Sequence, residues 1–125
     1  MRKLLTTAAL FVLAGSIPAL AADEIMAGYY GNTVVSSGGM ITSGTHYRAD
    51  HTFDVTGSAM GITKTFKGTW EMKGNQLCRT YVGDQPPGLP SNPFCIPWEA
   101  HKVGDTWTVT LNGNSRTLTL KAGVQ

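Results

Sequence analysis

Thr65-Phe66-Lys67-Gly68-Thr69-Trp70-Glu71-Met72 is the stretch whose reading decides the fold class. Phe66, Gly68, Trp70 and Met72 alternate with Thr65, Lys67, Thr69 and Glu71. An extended strand points successive side chains to opposite faces, so a period of two with one apolar set describes a half-buried strand. The same alternation recurs near the end of the chain. Trp107, Val109 and Leu111 interleave with Thr106, Thr108 and Thr110, and Leu118 and Leu120 with Thr117, Thr119 and Lys121. Phe66, Trp70, Met72, Trp107, Val109, Leu111, Leu118 and Leu120 are therefore the expected core. Thr65, Lys67, Thr69 and Glu71 are expected to face water.

Turn chemistry separates these runs: Ser37-Gly38-Gly39, Asp50-His51, Lys73-Gly74-Asn75, Gly104-Asp105 and Asn112-Gly113-Asn114. Asn112-Gly113 is the strongest hairpin signal and joins the last two strands. Asp23–Tyr30 reads as a short helix or irregular lead-in. Strands follow near Asn32–Ser36, Thr45–Ala49, Thr52–Thr56, Thr63–Met72, Gln76–Val82, Cys95–Val103, Thr106–Leu111 and Ser115–Lys121. Short strands joined mostly by tight turns predict an all-β, antiparallel up-and-down barrel of about eight strands, which hides its edges by closing. A sandwich is the other arrangement of such strands.

The N-terminus reads as a bacterial signal peptide, Met1–Ala21. Arg2 and Lys3 precede an apolar run, Leu4–Gly15; Pro18 breaks it, and Ala19-Leu20-Ala21 gives a small-x-small cleavage pattern. Cleavage there predicts a periplasmic or secreted protein. Removing 21 of the 125 residues leaves 104, one β domain over 22–125. Two of the ten basic residues go with the leader, leaving eight against eight acidic ones, so the formal charge falls from +2 to zero. The remaining Lys and Arg are scattered singly, which argues against nucleic acid as a partner.

Cys78 and Cys95 both lie in the exported part, where an oxidising compartment favours a disulfide. The bridge would close a loop of about 18 residues, worth roughly 3 kcal/mol in the chain-entropy model. Between them runs Gly83-Asp84-Gln85-Pro86-Pro87-Gly88-Leu89-Pro90-Ser91-Asn92-Pro93. Its four prolines offer no amide to a ladder, so it reads as a surface loop pinned by the bridge. Such a loop is either a contact site or a stiffened connection.

The pieces Gly31-Asn32-Thr33-Val34, Tyr47-Arg48-Ala49-Asp50-His51-Thr52-Phe53, Gly68-Thr69-Trp70, Leu77-Cys78 and Cys95 occur in order across most of the exported chain. This series resembles a group of small exported proteobacterial proteins of unknown function. His51, where that group's hairpin has Gly, and the proline-rich loop depart from the pattern. The resemblance implies a calycin-like barrel and brings no catalytic residue.

Motifs for a nucleophile elbow, a phosphate loop, a dinucleotide site or a zinc protease are missing from the chain. No cofactor and no metal are implied. His46, Asp50, His51 and Asp54 gather around one expected hairpin. Glu99 and His101, two apart on an expected strand, share a face. An enzyme reading would place acid–base chemistry on His51, Asp54, Glu99 and His101; the plainer reading makes them turn and solvent-face residues. Trp98, just beyond the proline loop, is the ring expected at a contact surface, with Leu89, Phe94 and Tyr81 around it.

Three function classes follow. The first is a non-enzymatic binding module for a small apolar ligand or an exported or envelope protein, an inhibitor among them. The second is a small-barrel isomerase, lyase or hydrolase, and the third a purely structural envelope protein. A hollow interior would favour ligand binding or catalysis; a filled one would move function outward to the loops.

Overall fold

Eight strands form in the expected order, although the second spans Ile41–Tyr47 rather than Thr45–Ala49. They are β1 (Thr33–Gly38), β2 (Ile41–Tyr47), β3 (Thr52–Ala59), β4 (Ile62–Lys73), β5 (Gln76–Tyr81), β6 (Phe94–Pro97), β7 (Thr106–Leu111) and β8 (Asn114–Lys121). The computed structural model describes residues 24–111 and 113–125, without the side chain of Leu111. The expected signal peptide, Met1–Ala21, and Asn112 of the expected last turn lie outside the described residues.

All eight strands belong to one antiparallel sheet in the order β6-β5-β4-β3-β2-β1-β8-β7. A single sheet replaces the sandwich arrangement. The order is that of an up-and-down meander whose last strand folds back on its first, from Thr33↔Lys121 to Ser37↔Thr117. The sheet curls into a half-barrel. Its two edges are β6 and β7, and no ladder joins them among the described residues.

The seam lies where strand β6 stops. Expected over Cys95–Val103, strand β6 ends at Pro97. Pro97 has no amide to donate, and the next amide, Trp98 N, donates to Asn75 O at 2.9 Å. Residues 98–105 then cross to β7 as a connector rather than a strand. A turn of helix at residues 24–27 plugs this end of the sheet, burying Met26 and Tyr29. Gly28 permits the close approach, since an added Cβ would collide with the His101 carbonyl.

Cross-strand partners share a face, so the ladders sort the side chains. Val34, Thr45, Val55 and Phe66 form one inward rung; Tyr47, Phe53, Gly68 and Tyr81 the next; then Trp70, Arg79 and Phe94; then Met72, Leu77 and Ile96. This lower half is filled. Tyr29, Tyr47 and Trp98 meet ring to ring at 5.3–6.2 Å, and Phe53 meets Tyr81 at 5.2 Å. Such tilted and edge-on pairs add to the area they bury. The expected core residues Phe66, Trp70, Leu118 and Leu120 are buried, and Met72, Trp107 and Val109 pack partly against them. Thr65, Lys67, Thr69 and Glu71 are exposed, as the alternation requires.

Candidate functional site

The polar residues singled out in the sequence separate into distinct groups. Asp54 on β3 faces His46 on β2, with Nδ1 to Oδ1 at 2.8 Å, and Arg48 Nη1 donates to Asp54 Oδ2 at 2.7 Å. Burial opposes ionisation of Asp54, but the hydrogen bonds from Arg48 and His46 outweigh it and hold its carboxyl below the ordinary range. Asp50 is absorbed by the turn, accepting from the Thr52 hydroxyl and amide at 2.6 and 3.0 Å, and these bonds lower its pKa. His51 occupies the left-handed turn position, with φ 70°, and stacks on Trp70 at 4.1 Å. Its expected partnership with Asp54 is thus replaced by the His46–Asp54–Arg48 group.

Glu99 and His101 do meet, at 3.5 Å from Oε1 to Nε2, although they sit on the connector and not on a strand. Sequence reasoning missed the third member: Asp105 Oδ2 lies 3.2 Å from His101 Nδ1. Asp105 also accepts the Lys102 amide, which with His101 lowers its pKa. The imidazole stacks on Trp107 at 3.6 Å. This cluster flanks a groove of about 540 Å³ at the seam, lined by Trp98, Glu99, Trp107 and Val109 among others. No group of three His, Cys, Asp or Glu among the described residues could hold a metal ion.

Of the expected contact residues, Trp98 is only 8% exposed; its ring is a core element that shows one side to the seam groove. Tyr81 and Phe94 point inward beside Arg79. Leu89 packs against the core from the proline-rich loop. That loop joins one end of β6 and Trp98 follows the other, so the structure does not bring them together. Asn92 stitches the loop to the sheet: its Oδ1 accepts Tyr81 N at 2.9 Å and its Nδ2 donates to Tyr81 O at 3.2 Å.

Cys78 and Cys95 are bridged, and they stand directly opposite one another in the β5–β6 ladder. Their Cα atoms are 4.0 Å apart, closer than the roughly 5–6 Å expected of a bridge in general. A directly opposed cross-strand pair explains the closeness. A disulfide fits an extracellular or periplasmic setting.

The upper half of the concave face differs from the lower half, and nothing in the sequence reading pointed to it. Five of its inward positions are small, Ser36, Gly38, Ser43, Gly57 and Ala59, beside the longer Lys64 and Arg116. Above them Ile41 and Ile62 point inward yet are 50% and 74% exposed. A Cβ built on Gly57 meets nothing within 4 Å, whereas one built on inward-facing Gly68 would strike the Thr80 carbonyl. The concave face is thus packed below and open over Gly57, whereas Gly38 is covered by Arg116, whose Cγ lies 3.2 Å from a Cβ built there. Met40 and Met60, at the tips of the two adjoining hairpins, extend this rim with two more exposed apolar side chains.

No helix among the described residues is long and apolar enough to cross a membrane. Comparison with family models, with curated proteins and with solved structures finds no match to this chain.

Proposed function

We propose that this chain is an exported binding module that takes an apolar ligand into the open upper half of its curled sheet. The carrying observation is Gly57, an inward-facing residue above which there is free space, with the exposed apolar Ile41 and Ile62 one rung beyond it. A concave apolar face gains affinity by burying apolar ligand surface, at about 25 cal/mol per Å² before ordering costs. Exposed Ile41, Ile62, Met40 and Met60 would otherwise leave a contiguous apolar rim in water. The test is titration with 1-decanol, followed by tryptophan fluorescence or calorimetry. Gly57→Phe should fill the space and abolish binding, with the thermal transition retained. A folded Gly57→Phe protein that binds 1-decanol like the parent refutes the proposal.

A second reading rests on His101, whose Nδ1 is anchored by Asp105 while Nε2 faces Glu99 beside the seam groove. Asp105 orients the imidazole as it would a general base, although Nε2 is itself buried without a hydrogen-bond partner. Such a base predicts a turnover that falls at least about 100-fold in His101→Ala or Glu99→Gln with the fold intact. Binding of 1-decanol that survives both substitutions, with no turnover detected in the parent, favours the first reading.

A further inference from the structure

Three cations stand in phase with the apolar residues of the concave face. Lys64 precedes Phe66 by two, Arg116 precedes Leu118 by two, and Arg79 follows Leu77 by two. No carboxylate does so among the described residues. Asp54 and Glu71 lie on the opposite face of β3 and β4, and Glu24, Asp50, Asp84, Glu99 and Asp105 lie in the lead-in, turns and connectors. The charged groups on the concave face are therefore of one sign.

Each of these cations lacks a strong anionic partner. Arg116 is held by neutral acceptors: Nε donates to Ser36 Oγ at 2.7 Å, Nη1 to Gly38 O at 3.2 Å and Nη2 to Ile41 O at 3.1 Å. Lys64 lies 5.3 Å above the Phe66 ring, and its contact with Asp84 of the exposed loop is long, at 3.7 Å. Deeper in the same face, Arg79 lies 5.6–5.7 Å from the Phe53 and Tyr81 rings and donates to the Tyr47 hydroxyl at 3.3 Å. Its Nε is buried without a hydrogen-bond partner. Charges of one sign along a concave, partly desolvated wall reinforce one another and raise the local concentration of counter-charge.

We infer that the open half of the concave face binds a single-chain anionic amphiphile in solution, an apolar chain carrying a carboxylate or phosphate head. The inference rests on the apolar-binding reading above. The chain lies over Gly57 and between Ile41 and Ile62. The head meets Lys64 on the β4 wall or Arg116 on the β8 wall, where a guanidinium or ammonium makes charge-assisted hydrogen bonds.

Calorimetric titration with decanoate, decyl phosphate, 1-decanol and decyltrimethylammonium, all below micelle formation, separates the two ideas. The anions are expected to bind about tenfold tighter than 1-decanol, the gain typical of one charge-assisted contact. The cation should bind weakest, and the preference should shrink as salt rises. Lys64→Glu, at an exposed side chain, should bring the affinity for decanoate and decyl phosphate down to that for 1-decanol or below it. Equal affinity for decanoate, decyl phosphate and 1-decanol overturns the anionic assignment and leaves apolar binding standing. No binding of any of the four overturns both. Binding only to vesicles of anionic phospholipid, with decanoate silent, also overturns the inference.

Discussion

Trp70→Ala is the perturbation that most directly tests how the sheet is oriented. The Trp70 ring is 4% exposed, its Nε1 donates to Arg48 O at 2.9 Å, and His51 stacks on its outer side. Truncating a buried Trp costs about 3–5 kcal/mol through lost transfer energy and the cavity left behind. The Arg48 carbonyl also loses its donor, so the upper part of that range applies. A domain of this size has roughly 5–15 kcal/mol to lose, and the variant should be close to unfolding. With a urea slope of about 1–3 kcal/mol per M, the midpoint should fall by at least roughly 1.3 M. Trp70→Phe keeps most of the ring and drops the hydrogen bond, so it should cost less. Thr69→Ala, one residue away and exposed, should change stability by less than about 0.5 kcal/mol. Equal losses for Trp70→Ala and Thr69→Ala would refute the assignment of the inner face.

Two further outcomes follow from the bonds described. Replacing Cys78 and Cys95 together by Ser should lower stability by about 3 kcal/mol in urea, since their sequence separation is 17; two titratable thiols in the native protein would contradict the bridge itself. Asp54 ionises more readily folded than unfolded, so its contribution is complete above the unfolded carboxylate pKa of about 4 and disappears as pH falls through the lower folded value. The stability gap between the parent and Asp54→Asn should accordingly be constant near neutrality and close on acidification to about pH 2. A gap independent of pH would show that Arg48 and His46 do not hold the carboxylate.

The alternation around Trp70, Trp107 and Leu118 determined the side that those strands present and, with them, Phe66, Trp70, Leu118 and Leu120 of the core, because a period of two is a property of the local chain. The rest of the core, from Tyr29, Tyr47 and Phe53 to Trp98, came only with the fold. The alternation also carried an unread signal. Lys64, Arg79 and Arg116 are in phase with the apolar set, so parity alone places them inward. What parity leaves open is whether an inward cation is buried against a carboxylate, held by neutral acceptors or turned toward an opening. That depends on strands far apart in sequence. Arg116 reaches Ser36 only because β8 pairs with β1, and the space over Gly57 exists only because Ser43 and Lys64 are its cross-strand neighbours. The seam has the same origin. Pro97 is visible in the sequence, but the course of the chain beyond it, with Trp98 still bonded in register to Asn75 and with Glu99 and His101 off the strand to meet Asp105, is settled by where partners lie in three dimensions. Local sequence determined which face each side chain takes; long-range pairing decided what each face meets, because contacts between distant strands are not encoded in the periodicity of either one.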